Sequence, residues 1–217
     1  MCPDLRRASY DEFVAFVFDH YPGDDVDNLW YWKLEDDVEF DPGRAIGFMT
    51  RICEDSAQLM DSYTTPQIAQ GINYLLGAGN RDGFLDLLWD PEIPWPERYR
   101  CIRAIPQLYT QVFERDSKGS GGLPFMLWDS IAYDYYCGNC DPATNPEDAR
   151  VQDAMFEALT GMLSSDCQET IAGAVHGLGH LRHRHTNNAI RELLSSDREL
   201  EGDVRTFAAA VLEDHFL

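Results

Sequence analysis

Basic side chains are scarce in this 217-residue chain. Only 17 lysines and arginines stand against 38 aspartates and glutamates, which gives a formal net charge of −21. The electrostatic field of so negative a protein repels phosphate backbones and anionic membrane surfaces. Direct binding of nucleic acid or of a membrane is therefore disfavoured. Long-range steering instead favours a cationic protein as partner, unless the charge serves only to keep the protein in solution.

Long hydrophobic runs are also missing. No stretch of about 18 consecutive apolar residues occurs, so no transmembrane helix is predicted. Arg6 and Arg7 are not followed by the apolar segment of a secretory signal, and we therefore expect a cytoplasmic protein. With 44% apolar and 12% aromatic residues, the chain has enough hydrophobic material for one large folded domain or two small ones.

Motifs of the common enzyme classes are absent. The segment "GSGG" lacks the lysine of a phosphate-binding loop. There is no GxSxG of serine hydrolases, no dinucleotide fingerprint and no HExxH of helical zinc proteases. We therefore predict a protein that is not an enzyme and that uses no cofactor.

Helical periodicity dominates the sequence, whereas the alternation typical of strands is almost missing. Ser9 and Glu12 have the spacing of a capping box, and Asn145 precedes Pro146 as a helix cap. The glycine-rich segment "SKGSGG" is the strongest internal boundary. We expect one continuous domain in three parts: an N-terminal helix with an acidic aromatic loop (residues 1 to 43), a helical region (44 to 145) and helix pairs (146 to 217).

The C-terminal third contains an internal repeat. "ALTGMLSSD" at 158 to 166 recurs as "AIRELLSSD" at 189 to 197, a period of 31 residues. A second helical segment follows each copy, and two helices per unit of this size are typical of an α-helical repeat. On this pattern, residues 146 to 217 resemble the HEAT-like α-solenoid proteins. The resemblance implies antiparallel helix pairs stacked into an array, so the predicted fold class is all-α, a helical bundle or α-solenoid.

Six cysteines occur, and without a secretion signal we expect them to be reduced. Cys137 and Cys140, in "CGNC", have the spacing of a redox pair or of half a zinc site. A thioredoxin-like site requires a βαβ context, and a zinc site requires two more ligands. We therefore interpret both cysteines as structural residues at a helix end.

Four of the six histidines lie in "HGLGHLRHRH", residues 176 to 185. At about 100° per residue, His176, His180 and His183 share the helix face opposite Ile171 and Val175. Three imidazoles on one face are candidate ligands for a zinc-like ion. The competing interpretation is a polar contact face, on which Gly177 permits a neighbouring helix to approach. We predict no metal site and keep the three histidines as candidate ligands.

The segment "GDDVDNLWYWKLEDDVEFDPG", residues 23 to 43, combines carboxylates with aromatic side chains. Aromatic anchors supply contact energy in protein interfaces, and carboxylates steer a basic partner. The alternative is a loop whose tryptophans pack on the protein's own helices while the acids face water. The predicted partner-binding residues are Asp24, Asp25, Asp27, Trp30, Trp32, Glu35, Asp36, Asp37, Glu39 and Asp41.

Charge, repeat and missing catalytic motifs together favour an acidic protein-binding scaffold. The most concrete hypothesis is a bacterial immunity protein that binds and inhibits a basic toxin, such as a nuclease, through these carboxylates. One alternative is a metal-dependent hydrolase or oxygenase that uses His176, His180 and His183. Another is a structural adaptor whose acidic surface binds nothing.

Overall fold

The computed structural model describes residues 3 to 22, 29 to 34, 38 to 76 and 84 to 214. The all-α prediction is confirmed, since these ranges contain helices and one isolated bridge, between Asp4 and Glu39, but no strand. No helix in the described ranges is long and apolar enough to cross a membrane.

The chain divides into two compact units, Met1–Gly121 (unit 1) and Gly122–Leu217 (unit 2). The division falls in the glycine-rich segment that the sequence indicates as an internal boundary. The three predicted parts have other limits, and their status within one continuous domain stays a prediction.

Unit 1 is built from helices and short helical turns. Its helices are α1 (Tyr10–Phe18), α2 (Pro42–Glu54), α3 (Ser56–Ser62), α4 (Thr65–Leu75), α5 (Trp95–Ala104), α6 (Pro106–Leu108) and α7 (Ser117–Ser120). Two 3-10 turns, Trp30–Lys33 and Phe84–Leu88, and a π turn, Tyr109–Phe113, connect them. The predicted capping box is confirmed at the start of α1, where Ser9 and Glu12 bond each other's backbone amides.

Aromatic rings form much of the core of unit 1. Phe13, on α1, packs edge-on against Phe84 with 5.3 Å between ring centroids, and Phe84 also contacts Tyr74 on α4. All three residues are fully buried. Arg98 is buried as well, and its guanidinium donates hydrogen bonds to the carbonyl oxygens of Ile93 at 3.0 Å and Leu88 at 3.3 Å.

Unit 2 is arranged around one central helix. It contains α8 (Leu123–Cys137), α9 (Pro146–Met162), α10 (Gln168–Leu181), α11 (Thr186–Ser195) and α12 (Gly202–Leu212). Helix α10 contacts each of the other four, and eleven of its fourteen residues are buried. Helix α10 therefore has neighbouring helices on every side, unlike a surface helix, which buries a single apolar stripe.

The 31-residue repeat corresponds to two helix pairs, α9 with α10 and α11 with α12. Asn145 caps α9 as predicted, accepting a hydrogen bond from the Glu147 amide at 3.0 Å, and Pro146 takes the first helical position. Arg198 links the two copies, since it donates to the carbonyl oxygens of Leu163 and Ser164 just after α9. Those carbonyls have no partner inside a helix, so the arginine satisfies them.

Helices α8 and α10 approach each other closely at Gly177. A Cβ atom at this position would lie 2.5 Å from Trp128 Cβ and 2.8 Å from Leu159 Cδ2. Only glycine therefore fits here without moving the neighbouring helices. The close approach that the sequence indicates for Gly177 is present, and its partner is α8.

Candidate functional site

The acidic aromatic segment lies in unit 1 and is described in part. Asp24, Asp25, Asp27, Glu35, Asp36 and Asp37 lie outside the described residues. Of the predicted partner-binding residues, the structure therefore places Trp30, Trp32, Glu39 and Asp41.

The two tryptophans of the 3-10 turn have different environments. Trp30 stacks on His20, with ring centroids 3.8 Å apart, and contacts Phe16 and Tyr74. Trp32, two residues later, is 56% exposed. Trp30 thus anchors the turn to its own unit and leaves Trp32 as the exposed indole.

The two described carboxylates of the segment have local structural partners. Glu39 forms an ion pair with Arg6 at 2.8 Å and exchanges backbone hydrogen bonds with Pro3 and Leu5. Asp41 caps α2, because its Oδ1 accepts a hydrogen bond from the Arg44 amide at 2.9 Å. Both residues help to hold the chain that follows the 3-10 turn Trp30–Lys33, the aromatic turn.

The histidine face of α10 is buried. His176, His180 and His183 are 5%, 1% and 5% exposed. Helix α8 covers the face of α10 opposite the apolar stripe, so both faces of α10 are interior. Helix α10 also ends at Leu181, where Arg182 takes the left-handed conformation, and His183 therefore leaves the helix.

Two of the three histidines converge with a carboxylate from α8. His180 Nε2 lies 2.9 Å from His176 Nε2 and 3.0 Å from Asp129 Oδ1. The three side chains have donor atoms that all lie within 4.8 Å of one another. Among the described residues, this is the one cluster of three or more histidine, cysteine or acidic side chains in such an arrangement.

Neighbouring groups orient the two imidazoles. His176 Nδ1 lies 3.0 Å from the Phe125 carbonyl oxygen, and its ring stacks on the Phe125 ring at 4.1 Å. A carbonyl only accepts, so Nδ1 carries a hydrogen and a neutral His176 presents its lone pair at Nε2. The Tyr136 ring packs edge-on against His180 at 5.2 Å.

Burial is the largest influence on the charge of His180. It lowers the pKa of this imidazole, while the Asp129 carboxylate opposes the shift and His176 adds to it. The neutral form of the ring is the one that binds a metal ion.

His183 forms a separate pair with Asp153 of α9. Its Nε2 lies 2.9 Å from Asp153 Oδ1, and its ring stacks on Phe156 at 4.0 Å. Burial lowers the pKa of His183, and Asp153 opposes that shift. His183, the third candidate ligand, is therefore paired with Asp153. The third member of the cluster is Asp129.

The cysteines of "CGNC" lie where the sequence places them, at a helix end. Cys137 is the last residue of α8, and Gly138 follows in the left-handed conformation as its cap. Cys140 is a free thiol, and burial raises its pKa to about 11. A protonated thiol is a poor nucleophile and a poor metal ligand, so this pKa disfavours a reactive thiolate at Cys140.

Asp129 is the site residue that the sequence analysis missed. It lies 47 residues before His176, in a segment that the sequence assigns to a different part of the chain. One signal was available: it is a single carboxylate within the apolar run "LPFMLWDSIAY". Within an apolar helical run, an ionisable side chain is seldom buried unless it has a partner.

Comparison with protein-family models finds no match, and comparisons with curated proteins and with solved structures find none either.

Proposed function

We propose that the protein is an acidic protein-binding scaffold, most concretely a bacterial immunity protein that binds and inhibits a basic toxin such as a nuclease. The observation that supports this most directly is the exposed Trp32 on a turn that Trp30 and Tyr31 anchor. This turn lies in the most acidic segment of a chain with a net charge of −21.

The geometry of the turn suits a binding anchor. Tyr31 is buried and stacks on Tyr74, so two consecutive aromatic residues attach the turn to α4 and α1. An anchor that is already held in place loses little conformational entropy on binding. Exposed tryptophans are prominent among the residues that contribute most to interface affinity.

The surrounding negative charge should raise the association rate with a basic partner and the specificity for it. Carboxylates around an aromatic anchor attract a cationic partner over about a Debye length, close to 10 Å at 0.1 M salt. An acidic surface that covers the cationic site of a toxin would compete with its anionic substrate. The helix pairs α9–α10 and α11–α12 would then form a HEAT-like support.

The test begins with the genes on either side of this chain's gene, and the absence of one that encodes a small basic protein would count against the immunity function. Where one is present, its product is made together with the full chain. Affinity is measured by calorimetry at 50, 150 and 300 mM salt for the native chain, for Trp32→Ala and for the triple variant Asp36→Lys, Asp37→Lys, Glu39→Lys. We expect Trp32→Ala to weaken binding roughly 30-fold, as for an interface hot spot of about 2 kcal/mol. The triple variant should bind more weakly and with a smaller salt dependence.

Tyr133→Ala is the matched control, because this exposed aromatic residue lies on α8 in unit 2. It should leave the affinity unchanged. Equal affinity of the native chain, Trp32→Ala and the triple variant would exclude the segment as the binding surface. Failure of the basic protein to bind or be inhibited at any salt concentration would refute the immunity function.

A further inference from the structure

We propose that Asp129, His176 and His180 bind a divalent first-row transition-metal ion such as Zn²⁺, between α8 and α10. This inference does not depend on the proposed function, because the three residues belong to unit 2, whereas the aromatic turn belongs to unit 1. Two imidazoles and one carboxylate form a donor set typical of such ions, whereas Ca²⁺ and Mg²⁺ prefer oxygen ligands.

The spacing of the donor atoms fits this class of ion. Ligands at about 2.0 to 2.1 Å from a tetrahedral zinc ion stand about 3.3 Å from one another. His180 Nε2 lies 2.9 Å from His176 Nε2 and 3.0 Å from Asp129 Oδ1. These two distances need to lengthen by only a few tenths of an ångström, and the donor atoms of His176 and Asp129 also lie within 4.8 Å of each other.

The three donor atoms have too few hydrogens to satisfy one another. The neutral His176 ring, with its hydrogen on Nδ1 toward Phe125, presents a lone pair at Nε2. Asp129 contributes a carboxylate oxygen, so one hydrogen on His180 Nε2 faces two acceptors. Asp129 Oδ1 is buried, and no described residue donates a hydrogen bond of good geometry to it. When the His180 hydrogen is on Nδ1 instead, Nε2 also presents a lone pair, and a cation among the three atoms would accept all three lone pairs.

The group behind His176 also matches a metal site. A histidine that binds a metal usually donates its other ring N–H to a carbonyl or carboxylate, which fixes the tautomer. His176 has this arrangement with the Phe125 carbonyl, at 3.0 Å. His176 and His180 are one helical turn apart, so both rings leave α10 on the same side.

Solvent reaches the cluster along α8. The Asp129 side chain is 22% exposed, and Met126 and Tyr133, on the same face of α8, are 45% and 50% exposed. An ion can therefore enter beside Asp129, and water can occupy a fourth coordination position there. Gly177 brings α8 close enough for Asp129 to meet the two rings.

The test titrates the full-length, chelator-treated protein with Co²⁺ and with Zn²⁺. We expect one equivalent of Co²⁺ to produce the visible absorption of a four- or five-coordinate ion, and Zn²⁺ to displace it. Asp129→Asn, His176→Gln and His180→Gln should each weaken binding at least 10-fold. Loss of a residue that only hydrogen-bonds a metal ligand already lowers metal affinity about 10- to 100-fold, so loss of a ligand itself should lower it at least as much.

His183→Gln is the matched control. His183 is as buried as His176 and lies 2.9 Å from a carboxylate, but it has no third donor beside it. This variant should bind Co²⁺ like the native chain. A native chain that binds no stoichiometric Co²⁺ or Zn²⁺, or a His183→Gln variant that loses as much affinity as His180→Gln, would overturn the proposal.

A measurement on the native chain removes any dependence on how the variants fold. In long-range ¹H–¹⁵N spectra, Zn²⁺ should shift the Nε2 resonances of two histidines, and assignment should identify them as His176 and His180. Shifts confined to His183, His185 or His20 would overturn the assignment.

Discussion

Replacing Gly177 with alanine should destabilise the protein, although alanine is the better helix former. The added Cβ would lie 2.5 Å from Trp128 Cβ, 2.8 Å from Leu159 Cδ2 and 3.0 Å from Trp128 Cγ, where ordinary carbon contacts are about 3.5 to 4.0 Å. Because the closest atom is a Cβ attached to the backbone of α8, the strain cannot relax by rotation of a side-chain tip. The neighbouring helices must move.

The net effect is the difference between two opposing contributions to the free energy of unfolding. Overpacking in a dense core costs about 1 to 3 kcal/mol, and this contact belongs at the upper end. Glycine to alanine inside a helix gains up to about 1 kcal/mol. We therefore expect Gly177→Ala to lower the free energy of unfolding by about 2 kcal/mol.

The measurement is urea unfolding followed by circular dichroism, with hydrogen exchange of the α8 and α10 peptides as a local readout. Gly161→Ala, on the exposed side of α9, is the control, since no atom lies within 4 Å of its added Cβ. That control should be neutral or slightly more stable. If Gly177→Ala unfolds at the same urea concentration as the native chain, or at a higher one, the packing argument is wrong.

Two further predictions concern buried ionisable groups. Burial lowers the pKa of His183 below its ordinary 6.5, so its contribution to stability is present above pH 6.5 and lost as the pH falls below it. Melting temperatures between pH 7.5 and 5.5 should therefore fall less in His183→Gln, and an equal fall would contradict the assignment. Arg98→Met leaves two buried carbonyl oxygens without their donor and should cost about 3 kcal/mol in urea unfolding. Exposed Arg191→Met, on α11, should change the free energy of unfolding by less than about 0.5 kcal/mol.

Local features of the fold were predictable because they depend on neighbouring residues only. The capping box of Ser9 and Glu12 and the Asn145–Pro146 start of α9 follow from side chains that bond nearby amides. The helix pairs of the repeat follow from periodicity over about 30 residues. In each case the sequence contains both interaction partners within a short window.

The histidine site could not be predicted in the same way, because it depends on which helix covers the second face of α10. A helical wheel centred on Ile171 identifies one apolar stripe and assigns the imidazoles to the other side. It contains no information about α8, which is distant in the sequence. Gly177 indicated a close neighbour, but only the fold identifies Trp128 as that neighbour and brings Asp129 to the two rings.

The aromatic turn shows the same limitation on a smaller scale. Trp30 and Trp32 are two residues apart and have the same composition around them. Trp30 packs inward because it contacts His20 and Tyr74. The sequence alone does not show which of the two indoles makes these contacts. Of the two interpretations of the segment, self-packing describes Trp30, whereas Trp32 is exposed and its role in binding stays a prediction.

The enclosure of α10 has a consequence for how unit 2 can meet other molecules. A helix with eleven of its fourteen residues buried has almost no outer surface. A protein that docks on unit 2 must therefore contact mainly the outer sides of the other four helices and the segments between helices, and α10 affects such a contact by fixing where those helices stand. The part of α10 that carries His176 and His180 thus determines the shape of a surface to which it scarcely contributes.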